Sequence, residues 1–197
     1  MATKAERTRQ FIIEQAAPLF NEKGVAGVSI DDVLKATKVA KGCLYGHFEN
    51  KEELSHAMAD YLLDKIAGHI EAAMAKETSA KMKLFAFMDV YKNPLNPVVE
   101  GGCPVLNIGV EADDTDPVIR QKVKVVIQKG IRNISDIIQQ GIREKEFRAD
   151  FPAEEFALKI FALTEGGMMV CRVLGSNKPM HTIINVLRAE IGSYLVR

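Results

Sequence analysis

The chain has 197 residues, 47% of them hydrophobic, which suffices for one packed domain or for a small domain joined to a larger one. Its 26 acidic and 26 basic residues cancel, so a nucleic-acid partner must be argued from local placement and not from overall charge. No apolar run is long enough to cross a bilayer, MATKAERTRQ lacks the apolar core of a signal peptide, and Cys43, Cys103 and Cys171 have no metal-knuckle spacing; a cytoplasmic protein without membrane contact is expected.

Between Glu6 and Lys23, Ile12, Ala16, Leu19 and Phe20 recur at helical spacing, and Gly24 supplies a stop. Pro18 removes one backbone hydrogen bond and predicts a bend there. Lys4, Arg7 and Arg9 read as a basic arm ahead of this helix. Ser29 followed three residues later by Asp32 is a capping signature, opening a short helix with Ile30, Val33 and Leu34 as its buried face. Thr37-Lys38-Val39 turns the chain into a second short helix, whose Leu44 and Phe48 face inward. Asn50-Lys51-Glu52-Glu53 repeats the capping pattern and opens a long helix through His69. Short helices joined by a tight turn, ahead of a long one, contain a helix-turn-helix unit.

The remainder also reads as helix. Leu84, Phe85, Met88 and Tyr91 give the segment 80–91 a broad apolar face. Asn93 to Pro97 breaks it, and Gly101-Gly102-Cys103-Pro104 is a second interruption. Asp116-Pro117 starts a helix reaching about Lys145, Pro152 opens one to Leu174, and the last runs from Lys178 to Val196. No segment alternates as a strand would. The expected class is all-α: an N-terminal three-helix helix-turn-helix domain over residues 1–52, then a helical bundle over 53–197 for ligand binding and dimerisation.

If Leu44 and Phe48 point inward, Lys41, Gly42, Cys43, Tyr45 and His47 lie at or near the outward side. A lysine can donate to phosphate or a guanine edge, glycine admits close approach, and a tyrosine hydroxyl reaches phosphate. Lys51 stands at a helix N-terminus, where its charge and free backbone N–H groups can hold a phosphate.

Four blocks carry a resemblance: Ala16 to Gly24 (AAPLFNEKG), Ser29 to Val33 (SIDDV), Val39 to Phe48 (VAKGCLYGHF) and Asn50 to Leu54 (NKEEL). Together they resemble the DNA-binding domain of TetR-family transcriptional regulators, over about the first quarter of the chain. The resemblance implies a homodimer whose two heads read a palindromic double-stranded DNA operator in successive major grooves. It also implies a body with a pocket for a small-molecule effector, and last helices that form the dimer interface. It places Lys41, Gly42, Cys43, Tyr45 and His47 at recognition positions, Tyr45 and Lys51 at phosphate contacts, and Ser29 at a cap that often touches phosphate. Lys38 stands where the family usually has Gly, Ala40 where a capping Ser is common, and Gly46 where a larger residue is usual.

For the effector, the candidates are Phe85, Met88, Tyr91, Cys103, Phe161, Glu165 and Met168, since methionines and aromatics serve either as core or as adaptable pocket walls. Glu165 is the acid in an apolar stretch, and Gly166-Gly167 beside it suits close helix approach at a dimer interface. Cys103 reads as a buried structural thiol, with a redox sensor as the alternative. Glu111 to Asp114 reads as an acidic loop. No nucleophile elbow, phosphate loop or HExxH is present, so neither an enzyme nor a cofactor is expected. The competing reading is a helical ligand-binding dimer that has lost sequence-specific DNA binding.

Overall fold

The computed structural model describes residues 2–196. The described chain is all-α, with helices α1 (Lys4–Gly27), α2 (Ile30–Thr37), α3 (Lys41–Tyr45), α4 (Lys51–Met74), α5 (Ala80–Val90), α6 (Pro104–Ala112), α7 (Pro117–Arg143), α8 (Ala153–Leu174) and α9 (Lys178–Ser193). Two compact units share it: one holds the chain through Ile66 plus Val99–Lys124, the other Ala67–Val98 plus the chain from Val125. Helices α4 and α7 each contribute to both.

In the first unit, α1 begins earlier than its apolar pattern suggests. The Thr3 hydroxyl accepts from the Glu6 amide at 3.2 Å and the Glu6 carboxylate accepts from the Thr3 amide at 2.7 Å, a complete capping box. Lys4, Arg7 and Arg9 therefore lie within the helix, not on an arm ahead of it. Pro18 sits mid-helix, yet the dihedral break falls at Gly24 (φ 75°, ψ 166°), whose stopping role the sequence did indicate. Ile12, Ala16 and Phe20 of α1 join Val33, Leu44, Phe48, Leu54 and Met58 as buried residues of this unit. On α2 the buried pair is Val33 and Thr37, while Ile30 and Leu34 are half-buried.

The expected interruption holds at Gly101–Cys103 and the expected loop at Asp113 and Asp114, but the chain between them is α6, with Pro104 in its first turn and Glu111 in its last. Gly101 and Gly102 (φ 91° and 110°) turn the chain into it. A Cβ on Gly101 would lie 2.9 Å from the backbone of Asn21, so the close approach admits only glycine. Asn21, 2% exposed, donates to the carbonyls of Glu100 (2.6 Å) and Gly102 (3.0 Å). Asn107 of α6 donates in return to the carbonyls of Asn21 and Gly101, both at 2.9 Å. These bonds satisfy a buried amide and bolt α6 to α1.

In the second unit α9 packs against α8 and α5. A Cβ on Gly167 would approach Ile183 Cδ1 to 2.8 Å and Met180 Cε to 2.9 Å, so this glycine lets α8 and α9 close within one chain. Gly166 faces open space. Phe147, Phe151 and Phe156 form edge-on contacts, and Tyr194 stacks on Phe151 at 4.2 Å. The helix expected to end at His69 continues to Met74, and the last one ends at Ser193.

Candidate nucleic-acid interface

The short helix α3 exists because its neighbours define it. Upstream, the Ser29 hydroxyl accepts from the Asp32 amide (3.1 Å) and donates to the Asp32 carboxylate (2.7 Å), fixing the start of α2. The Ser29 bonds hold the Asp32 carboxyl below its usual value, with lesser help from Lys23 and Lys35. At the other end Lys38 adopts the left-handed conformation (φ 56°, ψ 22°), its amide donating to the Leu34 carbonyl at 2.8 Å. The turn thus keeps the geometry that glycine would take without strain, and holds a lysine in it. Ala40 caps α3 without a side-chain hydrogen bond.

A five-residue helix lacking a cap depends on tertiary anchors. Leu44 (1% exposed) and Phe48 (2%) provide them. Arg9 of α1 lies over the Phe48 ring at 4.7 Å and reaches Glu53 at 3.5 Å, while the Glu53 carboxylate accepts from the Glu49 amide at 2.8 Å. Arg9 is therefore a brace behind α3, a role the sequence did not disclose. Its signal was an arginine one helical turn ahead of the apolar run.

The opposite side of α3 is open. Lys41 and Gly42 are exposed, Tyr45 is 45% exposed, and Cys43 and His47 are half-buried. Nothing lies within 4 Å of a Cβ built on Gly42, which leaves its backbone approachable. Next along the chain, Asn50 accepts from the Glu53 amide at 2.8 Å, and Lys51 is the first residue of α4. The arrangement gathers two lysines, a phenol and a helix N-terminus at one short stretch, groups that suit contact with phosphate and base edges.

The same unit contains a cleft of about 430 Å³. Val25, Ala26, Ile108, Ala112 and Ile119 give it apolar walls. Lys51, Glu52, Glu111 and Asp116 bring charge to it. Glu111 accepts from the amides of Val25 and Ala26, both at 2.8 Å, and so closes the turn that Gly24 opens. A Cβ on Gly24 would come within 2.6 Å of that carboxylate. Asp116 accepts from the Val118 and Ile119 amides at 2.9 Å and meets His56 Nε2 at 2.9 Å. Burial works against the charged Asp116 carboxylate, yet the Ile119 amide, His56 and the Val118 amide outweigh it and hold its pKa below the usual value.

None of the seven effector candidates lines this cleft. Met88, Tyr91, Met168 and Glu165 are buried in the second unit, where Phe85 and Phe161 are half-buried. Arg188 lies over the Phe85 ring at 4.7 Å and pairs with Asp89 at 2.6 Å. Cys103 stands apart in the first unit as the capping residue of α6, 2% exposed. Among the described residues no group of three or more His, Cys, Asp or Glu is placed to hold a metal, and no helix is long and apolar enough to cross a membrane.

Residues 12–58, which contain all seven candidate DNA contacts, match the family described as bacterial regulatory proteins, tetR family. Residues 80–187 match the tetracyclin repressor-like C-terminal domain. The HTH-type transcriptional repressor DhaR of a Mycobacterium species is 20% identical over 91% of this chain and 89% of its own length. The HTH-type transcriptional regulator TtgR of Pseudomonas putida is 26% identical over 83% and 79%. Among solved structures, a TetR-family transcriptional regulator from Cytophaga hutchinsonii is 36% identical, covering 100% of this chain and 99% of that one with a TM-score of 0.91. A TetR transcriptional regulator from Chloroflexus aurantiacus, also 36% identical, covers 98% of each with a TM-score of 0.92. With a helix-turn-helix match at the front and a family match over more than half the chain behind it, this protein belongs to the TetR family of transcriptional regulators.

Proposed function

We propose that this regulator is a homodimeric repressor that reads a palindromic operator through α3 and leaves it when a small molecule binds. The observation that carries the reading is the two-sidedness of α3. Leu44 and Phe48 are locked inward while Lys41, Gly42 and Tyr45 are exposed beside the capped start of α4. Residues 1–52 act as the reading head, with Lys41, Gly42, Cys43, Tyr45 and His47 toward the groove and Ser29, Tyr45 and Lys51 toward phosphates. Ser29 can do so only by sharing a hydroxyl already bonded to Asp32. Residues 53–197 supply effector binding and dimerisation in the cytoplasm.

Pairing of two copies is supported by exposed apolar residues on α8 and α9, where Val173 is 80%, Leu174 66%, Leu158 56% and Val186 55% exposed. Coupling between body and head runs through α4, because its residues belong to both compact units. An effector acts through its differential affinity for the DNA-competent and released states, commonly about 1–3 kcal/mol of coupling.

Selection of bound fragments from a random duplex library at near-physiological salt tests this. Recovery of a palindrome with half-sites about one helical turn apart is expected. Recovery of no motif from a folded dimer would overturn it in favour of a ligand-binding dimer without sequence-specific DNA binding, the reading that strained Lys38 and uncapped Ala40 would then explain.

A further inference from the structure

We infer that the cleft in the first unit is a binding site for a small organic ammonium ion carrying an apolar body. Its volume, about 430 Å³, falls within the range of small-ligand sites. Val25, Ile108, Ala112 and Ile119 offer an apolar bed. Three carboxylates, Glu52, Glu111 and Asp116, face the Lys51 ammonium, and the His56 imidazole pairs with Asp116 at 2.9 Å, so carboxylates outnumber ammonium groups on the walls over a low-dielectric floor. That combination favours an amphipathic cation inside the cleft, with Lys51 at its edge turned to the proposed phosphate contact.

The carboxylates differ in what they can give. Glu111 and Asp116 already accept from backbone amides at the turn after Gly24 and at the start of α7. The other Asp116 oxygen meets His56 Nε2 at 2.9 Å, so these two carboxylates are committed within the fold and act on a ligand through their charge alone. Glu52, exposed on the first turn of α4, is the carboxylate that can swing to meet the ammonium. The Ser55 and Thr115 hydroxyls both donate to backbone carbonyls, at 2.8 and 2.5 Å, and so present acceptor lone pairs suited to the same N–H groups. A ligand there sits beside Lys51, one residue from Glu52. Any consequence for operator affinity rests on the proposed DNA reading, but occupancy of the cleft does not.

The test uses the full-length protein and 2-phenylethylammonium, with 3-phenylpropanoate as the anionic counterpart, followed by amide NMR and calorimetry. The expected result is saturable binding of the cation alone, with shifts at the Val25, Ala26 and Lys51 amides. Glu52→Gln should weaken it about five- to tenfold, the loss of one charge-assisted hydrogen bond at an exposed site. Ala26→Phe, at an exposed wall position, should fill the cleft and abolish binding. Equal binding of the carboxylate, shifts confined to residues of the second unit, no saturable binding, or indifference to both substitutions would each overturn the proposal. Loss of operator binding by the unliganded protein would instead count against the DNA reading, since calorimetry of the amine needs no DNA.

Discussion

Replacing Glu111 offers the most direct probe of how the head is held. Its two oxygens accept from the Val25 and Ala26 amides at 2.8 Å each, immediately after the left-handed Gly24. A hydrogen bond to a charged group contributes about 1.5–3 kcal/mol. Ala26 is exposed and Val25 half-buried, so water replaces much of what is lost. Glu111→Ala should therefore cost about 1–2 kcal/mol in total, below the sum of two such bonds. Glu111→Gln should cost nearly as much, because its NH₂ would face one of the two N–H donors. Hydrogen exchange reads this locally, which matters because two compact units need not unfold in one transition. Protection of the Val25 and Ala26 amides should fall about tenfold in both variants, since a factor of ten in the opening equilibrium corresponds to about 1.4 kcal/mol. Unchanged protection of both amides, with an unchanged urea midpoint, would refute the clamp.

Three further outcomes follow from the geometry. Lys38→Gly should stabilise the protein by about 0.5–1 kcal/mol in urea unfolding, since relief of left-handed strain exceeds the added entropy of the unfolded chain, whereas Lys38→Ala should bring no gain. At Gly167, Ala should be near neutral in thermal unfolding, because better helix propensity offsets crowding of the flexible ends of Ile183 and Met180; Leu should destabilise by more than about 2 kcal/mol by forcing α8 from α9. The depressed pKa of Asp116 means that its contribution is complete above the unfolded value of about 3.9 and is lost as pH falls through the lower folded value. An acid titration of stability should therefore be shallower for Asp116→Asn than for the parent below about pH 4, and identical slopes would show that the carboxylate does not differ between the folded and unfolded states.

Local chemistry made the head legible. The Ser29 and Asn50 caps and the inward pair Leu44 and Phe48 are decided within a few residues, and sequence shows such features directly; Lys38 stood out only against the Gly usual in the family, and the structure supplied its left-handed backbone. Elements defined by distant partners were not legible. Pro104 was read into the interruption with Gly101, Gly102 and Cys103, yet a proline after such a turn also suits the first turn of a helix. Glu111 looked like a loop acid because its partners lie 85 and 86 residues away. Arg9 looked like part of a basic arm ahead of the first helix, since its contacts with Phe48 and Glu53 have no local signature. Of the paired glycines, only Gly167 meets another helix, and spacing alone could not say which. The cleft arises where four separate helices leave space, a property of packing that no motif records.

The bonds from Asn21 to the carbonyls of Glu100 and Gly102 span 79 and 81 residues. On the ribosome, α1 to α3 emerge long before those carbonyls exist, so the nascent head carries an amide that its finished form buries at 2% exposure. The N-terminal segment thus cannot complete its fold in order of synthesis; it must wait for the chain to return through α6. The same discontinuity limits engineering by recombination. A head excised near residue 52 and fused to a foreign body would leave behind the segment that pairs Asn21, Val25 and Ala26, so a chimera keeps those bonds only if residues 99–116 are transplanted with it.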